Sequence, residues 1–204
     1  WYPMGGMGKL VEAMTMLATS YGVSMRTDAE VARVVIDDDN KATGVELVSG
    51  EIVCADVVLI NADMHHAETK LIPLSHQTYS ASYWESRIIS PSTFLIYLGI
   101  RGRVKGLSHH NLILAEHWND HFKTIFENPS WPQNPSYYVS CPSKTDPSVA
   151  PEGDENIFIL VPVAAGLTSD ESERERMASS IIDHLEKTLD ESIRSRIIHK
   201  RVYA

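Results

Sequence analysis

The sequence of 204 residues is short of cysteine, of positive charge and of long apolar runs, and each shortage removes a class of protein. Its two cysteines, Cys54 and Cys141, form no CxxC pair and no disulfide framework, which points to a reducing cytoplasm and a core role for Cys54. Eighteen Lys and Arg stand against 27 Asp and Glu, giving a formal net charge of −9. Nonspecific nucleic-acid binding needs clustered cations to neutralise phosphates, so no nucleic-acid partner is expected, and purely electrostatic attachment to anionic lipid is disfavoured as well. No apolar run approaches the roughly 20 residues that span a bilayer. The longest, around Phe94 to Ile100 and Ile157 to Val163, are strand-sized. HExxH, GxSxG, GxGxxG and P-loop motifs are absent, as is any repeat of solenoid period. The chain does not start with methionine, and Trp1-Tyr2-Pro3 opens on two aromatics that ordinarily need packing partners. With a strand-like Ile197 to Ala204 that stops without a turn signal, the expectation is an internal piece of a longer protein.

What is present describes a globular chain with 43% hydrophobic and 22% charged residues, long enough for one domain or two small ones. Its centre is Gly50 to Asp63. There Val57-Val58-Leu59-Ile60 has no polar alternation, as in a central parallel strand covered on both faces, and Asn61-Ala62-Asp63 ends it at a small corner. Two readings of that corner stand. Ligands bind outside the carboxyl ends of strands in open α/β sheets, so it could admit a cofactor's backbone; or Asp63 simply caps the next helix.

Before that centre, Pro3-Met4-Gly5-Gly6-Met7-Gly8 is a glycine-rich turn into a helix, with Leu10, Val11, Met14, Met16, Leu17 and Tyr21 at helical spacing and Gly22 as its stop. Strands are expected at Val23 to Arg26, Glu30 to Asp37, Thr43 to Leu47 and Ile52 to Cys54, forming a β-meander. After it come helices at Met64 to Leu71, Tyr79 to Ser86, His117 to Phe126 and along Met177, Ile181, Ile182, Leu185 and Leu189, the last begun by Ser169-Asp170-Glu171. Strands are expected at Ser92 to Ile100, Asn111 to Ala115, Ser136 to Cys141 and Asn156 to Val163. The acidic run Asp37-Asp38-Asp39 lacks the ligand spacing of an EF-hand and is a solvated hairpin tip. His65-His66, His109-His110, Glu116, His117 and His121 make only a crude metal case, so no metal is expected.

Resemblance goes further. The stretches Tyr2-Pro3-Met4-Gly5-Gly6-Met7, Glu30-Val31 through Ala42-Thr43-Gly44-Val45, and Ala55 to Asp63 resemble the middle of bacterial-type phytoene desaturases and related carotenoid dehydrogenases. The likeness continues in His109-His110-Asn111-Leu112-Ile113-Leu114, in Pro135 to Val139, and in the run Pro142 to Gly153. The first three motifs occur across flavin amine-oxidase-like enzymes, whereas the later ones belong more narrowly to the carotenoid branch. The resemblance implies an α/β (α+β) protein: part of a Rossmann-type FAD-binding domain with its meander over residues 1–63, and an incomplete substrate domain of mixed sheet and helices over residues 64–204.

It also implies site residues. Glu30 and Val31 lie on the strand that passes the adenine, with Val31 in contact; Gly5 and Gly6 lie near the flavin; Ala62 and Asp63 follow the strand beside the cofactor. The family's N-terminal dinucleotide fingerprint and C-terminal flavin-contacting segment have no counterpart in this sequence, so these residues alone are not expected to retain FAD or to desaturate. The implied reaction removes two hydrogens from a saturated carbon pair of a long isoprenoid, one as hydride to the flavin and one as a proton. Phe94, Leu95, Ile96, Tyr97 and Leu98 are candidate walls for the hydrocarbon, although the same strand has the pattern of plain core. No catalytic acid or base is identified. Peripheral membrane association, on the inner face of the cell membrane, is expected by analogy. A non-enzymatic lipid- or prenyl-binding protein of the same fold is the alternative.

Overall fold

A two-residue alternation organises most of the chain. In the computed structural model, which describes residues 2–204, β4 (Ser92–Ile100) and β7 (Glu155–Val163) pair antiparallel over nine residues, with Ser92 opposite Val163 and Ile100 opposite Glu155. They form the middle of a five-stranded sheet in the order β5 (His110–Ile113), β6 (Tyr137–Ser140), β7, β4, β8 (Ile197–Tyr203). The sheet that the resemblance implies as mixed is antiparallel at every pairing. Phe94, Ile96, Leu98, Val139, Ile157, Ile159 and Val161 are shut in on one face, in one cluster with Ala178, Ile181, Ile182 and Leu185 of α5 (Glu171–Leu189). Asp170 and Glu173 close a capping box at the start of α5: each carboxylate accepts from the other residue's backbone N–H, at 2.7 and 3.1 Å. An N-cap of this kind is worth about 1 kcal/mol.

This sheet belongs to the larger of two compact units, which joins the chain through Leu17 to Ile89–Ala204; the other is Ala18–Ile88. These units divide the chain at other places than the 63/64 boundary drawn from the sequence, and compactness by itself assigns neither cofactor nor substrate. One buried charge is built into the larger unit. The Glu155 carboxylate accepts from the Val104 N–H at 2.7 Å and pairs with Lys144 Nζ at 2.7 Å and Arg103 at 3.4 Å. Removing one partner of such a pair strands a buried charge and typically costs 3–5 kcal/mol.

The smaller unit holds the expected meander, β1 (Val31–Ile36), β2 (Ala42–Leu47) and β3 (Ile52–Cys54), paired antiparallel in that order. Its first hairpin turns at Asp37, whose carboxylate accepts from the backbone N–H groups of Asp39 and Lys41. Beyond the meander, Asp63 caps α2 (Met64–His66) by accepting from the His66 N–H at 2.8 Å, and the helix runs on as a π turn over Ala67–Leu71. A short α3 (Ala81–Glu85) follows.

Several expectations are corrected. Val57 to Ile60 is extended but unpaired, with Val57 81% and Leu59 91% exposed, so it is not a strand covered on both faces. An apolar run describes a buried strand only where neighbouring strands supply hydrogen bonds, and the described residues offer none beside it. Val23 to Arg26 likewise makes no ladder. The helix after the glycine turn exists as α1 (Gly8–Ser20), but none of its residues is buried; its stripe of Leu10, Val11, Met14 and Met16 faces outward. Cys54 is exposed and Cys141 is the buried cysteine, held up to a pKa of about 11 chiefly by burial. The opening Trp1 lies outside the described residues.

Gly44 is the meander's tightest point. Its φ is +153° and a Cβ there would lie 2.2 Å from the Val53 carbonyl oxygen, backbone that has nowhere to go. Gly44→Ala is expected to destabilise the smaller unit by roughly 1–3 kcal/mol, the scale of local backbone strain. Hydrogen exchange at the Val45 and Val53 amides checks this; unchanged protection would remove the steric argument.

Candidate functional site

The sheet face away from α5 is apolar yet uncovered. Register places Leu95 and Tyr97 of β4, Phe158 and Leu160 of β7, Tyr138 of β6 and Arg201 and Tyr203 of β8 on that side. Their rings touch in series: Tyr203 to Tyr97 at 5.8 Å, Tyr97 to Phe158 at 5.1 Å, and Phe158 to Tyr138 at 6.4 Å between centroids. Such edge and tilted contacts add to what burial of the rings supplies. Arg201 lays its guanidinium over the Tyr203 ring at 4.9 Å at the groove's edge. The groove, of about 890 Å³, opens along these rings, lined among others by Tyr2, Gly6, Leu95, Tyr97, Phe158 and Tyr203.

The five wall candidates of β4 therefore separate. Leu95 and Tyr97 face the groove, whereas the side chains of Phe94, Ile96 and Leu98 are sealed in the core under α5. Reading the run as five consecutive wall residues overlooks that successive side chains of a strand point to opposite faces. Tyr138, Phe158 and Tyr203 complete the wall and were not singled out from the sequence; the same alternation in β7 carried the signal for Phe158.

One end of the groove is the glycine turn. Gly5 and Gly6 have φ of +88° and +90°. The Gly5 N–H donates to Asp146 at 2.5 Å and the Gly6 N–H to the Pro3 carbonyl at 3.0 Å. Both amides are thus occupied and offer nothing to a phosphate, and the Lys9 side chain lies against Gly5, 2.8 Å from where its Cβ would stand. The turn therefore has no free amide for a pyrophosphate, and what it offers a cofactor is the backbone at Gly6 that borders the groove. Asp146 is fully buried and also accepts from the Ser148 hydroxyl at 2.6 Å and the Ser148 N–H at 2.9 Å. Beside it, Tyr2 meets His109 edge-on at 4.6 Å, and His109 stacks on His110 at 4.2 Å. His109 Nδ1 lies 2.5 Å from the Thr145 hydroxyl and His110 Nδ1 2.5 Å from that of Tyr138. Burial, and then the neighbouring His110, hold His109 below the usual imidazole pKa.

The remaining cofactor candidates lie in the smaller unit. Val31 is half-buried opposite Leu47 in the meander, and the Glu30 carbonyl accepts from the Val48 N–H at 2.9 Å. Ala62 is exposed, and Asp63 has its carboxylate committed to capping α2. No group of three His, Cys, Asp or Glu among the described residues is placed to hold a metal ion. His121 already uses both ring nitrogens, on the Pro162 carbonyl at 2.8 Å and the Ser136 N–H at 3.1 Å.

Comparison with known proteins gives this geometry a context. The model of the flavin containing amine oxidoreductase family matches residues 1–202. The chain is 39% identical over all 204 residues to a carotenoid 3,4-desaturase of Haloarcula japonica, and spans 41% of that relative's length. It is 36% identical over 170 residues to a phytoene desaturase of Neurospora crassa, and 37% identical over 163 residues to a zeta-carotene-forming phytoene desaturase of Myxococcus xanthus, covering 80% of this chain each time and 29% and 31% of those relatives. Among solved structures, an oxidoreductase from Methanosarcina mazei superposes with a TM-score of 0.61 at 18% identity, over 98% of this chain and 43% of its own. A reduced UDP-galactopyranose mutase gives 0.61 at 16% identity, over 99% and 40%. At such identities these structures speak for the fold alone.

The Asp146 carboxylate yields a pH prediction. Hydrogen bonds from the Ser148 hydroxyl first, and from the Gly5 N–H next, hold its pKa below the usual carboxylate value. A depressed folded-state pKa contributes stability that is present above the unfolded value, near ~3.9, and is lost as pH falls through the folded value. Asp146→Asn is therefore expected to melt below wild type at pH 7, with the gap narrowing once the pH falls below ~4. Calorimetric melting at pH 7 and pH 3 that showed one constant gap would refute this.

Proposed function

The chain belongs to the flavin containing amine oxidoreductase family, and on that premise we propose that the full-length protein is an FAD-dependent desaturase acting on a long isoprenoid of the carotenoid-precursor kind. The observation that carries the substrate class is the groove: an open sheet face walled mainly by aromatic and aliphatic side chains. An uncharged chain buried there gains ~25 cal/mol per square ångström of apolar surface removed from water and needs no ionic contact. Bound flavin supplies the acceptor for hydride. The chain's own part is to hold the hydrocarbon on Leu95, Tyr97, Phe158 and Tyr203, to exclude water from it, and to present the Gly6 backbone at the groove's end. In this reading residues 1–63 contribute to the cofactor side and 64–204 to the substrate side. Glu30, Val31, Ala62 and Asp63 then act as walls toward the cofactor, and because the glycine amides are spent internally, these residues alone hold FAD weakly.

Peripheral membrane association on the cytoplasmic side belongs to the same proposal, since the substrate partitions into lipid. Its support is α4 (Trp118–Phe126), which buries His121 and Ile125 and leaves Trp118, Phe122 and Phe126 about half exposed in one stripe of ring contacts. Aromatics on one face of a short helix suit the headgroup boundary. No helix of the described residues is long and apolar enough to cross a membrane.

Expression of the full-length protein with phytoene is expected to give a product with a longer conjugated system, read by absorbance and mass. Within it, Phe158→Ala is expected to raise KM about tenfold or more, from the ~1.5–3 kcal/mol that a buried aromatic contributes, with little change in melting. Ile159→Ala, one residue on and facing the core, is expected to cost ~2–5 kcal/mol of stability and leave KM alone. If the two variants behave alike, the groove is not the substrate wall. Mixing the protein with zwitterionic vesicles is expected to shift tryptophan emission to the blue, and Trp118→Ser is expected to abolish most of the shift. Equal shifts in both proteins would remove α4 as the contact.

A further inference from the structure

The run Pro142 to Gly153 carries part of the resemblance, and the groove's lining accounts for Pro142 alone of it. Its geometry gives the rest of the run a task. Asp146 reaches across 141 positions of sequence to the Gly5 N–H at 2.5 Å. Val149 comes within 3.8 Å of where a Cβ on Gly6 would stand, and Thr145 carries His109, against which Tyr2 packs. The loop thus touches the glycine turn at Gly5 and Gly6 and, through His109, at the Tyr2 that precedes it. It is itself fixed from behind by the pairing of Lys144 with the buried Glu155. At the turn, Gly5 admits no side chain, since a Cβ would lie 2.8 Å from Lys9 Cγ with φ at +88°.

We propose that Asp146 is a positioning residue for the flavin: its carboxylate fixes the Gly5–Gly6 turn, so that the backbone bordering the groove at Gly6 would be held in one place against the cofactor. This rests on the flavin reading given above. Asp146 does not touch the cofactor; it acts through Gly5. A charge-assisted hydrogen bond from a backbone amide to a buried carboxylate is shorter and about twice as strong as a neutral one, which suits a contact that must hold a mobile glycine pair in one place.

The test uses the full-length protein loaded with FAD. Asp146→Ala is expected to raise the Kd for FAD about tenfold and to shift the flavin absorbance maxima. Asp146→Asn keeps one acceptor oxygen but turns the other, which faces either the Gly5 N–H or the Ser148 donors, into a donor, and is expected to fall between wild type and Asp146→Ala in both. Val139→Ala, a core truncation under α5, serves as the control for general destabilisation and is expected to lower the melting temperature with FAD affinity and spectrum unchanged. Wild-type affinity and spectrum in Asp146→Ala would overturn the proposal, as would equal effects in Asp146→Ala and Val139→Ala. If Asp146→Ala does not fold, Asp146→Ser takes its place: a weakened Kd with shifted maxima supports the proposal, and wild-type Kd and maxima overturn it. A wild-type protein that binds no FAD would defeat the flavin reading itself, an outcome distinct from FAD binding that Asp146 does not influence.

Discussion

The strict alternation along β4 and β7 is the constraint on which the larger unit depends. Because nine consecutive pairs keep register, every even position of β4 from Phe94 to Ile100 is committed to the core beneath α5, and every odd position to the other side. An antiparallel sheet with one face packed usually turns a polar face to water. Here the second face carries Leu95, Tyr97, Phe158, Leu160 and Tyr138, so both faces ask to be covered while only one helix covers the first. A one-residue slip would exchange the two sets, and the nearly complete burial of Phe94, Ile96, Ile157 and Ile159 is what forbids it.

The segment beside this sheet is held by charge more than by packing. Glu155 begins β7 with a buried carboxylate that takes both Lys144 and the Val104 amide, and nine positions earlier Asp146 takes Gly5 and Ser148. Two buried acids, each fully partnered, hold the first part of an otherwise irregular loop, Glu155 through Lys144 and Asp146 through Gly5. Isolated, either charge would be expensive to bury; paired and hydrogen-bonded, they fix direction as well as distance. The loop can therefore be rigid without being a strand or a long helix.

Much of this was legible from the residues. The span of β4 was read without error, and β5 to β8, α4 and α5 fell within about one or two positions, because long periodic segments carry their own signature. The helix start at Asp170 and the turn at Asp37 were legible for the same local reason, whereas Glu173 as the partner of Asp170 emerged only from the structure. What the sequence misjudged was whatever depends on partners distant in the chain. Val57 to Ile60 has the composition of a covered strand, but composition cannot supply neighbours to pair with. Cys54 and Cys141 look alike in sequence and differ wholly in exposure. Asp146 gave no local sign of its bond to Gly5, since that contact exists only once the two ends of the larger unit are together.

The chemistry of the groove then follows from which atoms were left on its surface. The Tyr138 hydroxyl is taken up by His110 and Arg201 stacks on Tyr203, while Ser140, Asn156, His199 and Arg201 stand among the groove's lining residues. What remains exposed to a ligand is mostly ring faces and aliphatic edges in an unbroken row. On the reading proposed here, such a surface would discriminate by length and curvature of the hydrocarbon, because each dispersion contact is individually small. Register along the groove must come from its ends, and the end the structure defines most tightly is the glycine turn that Asp146 holds.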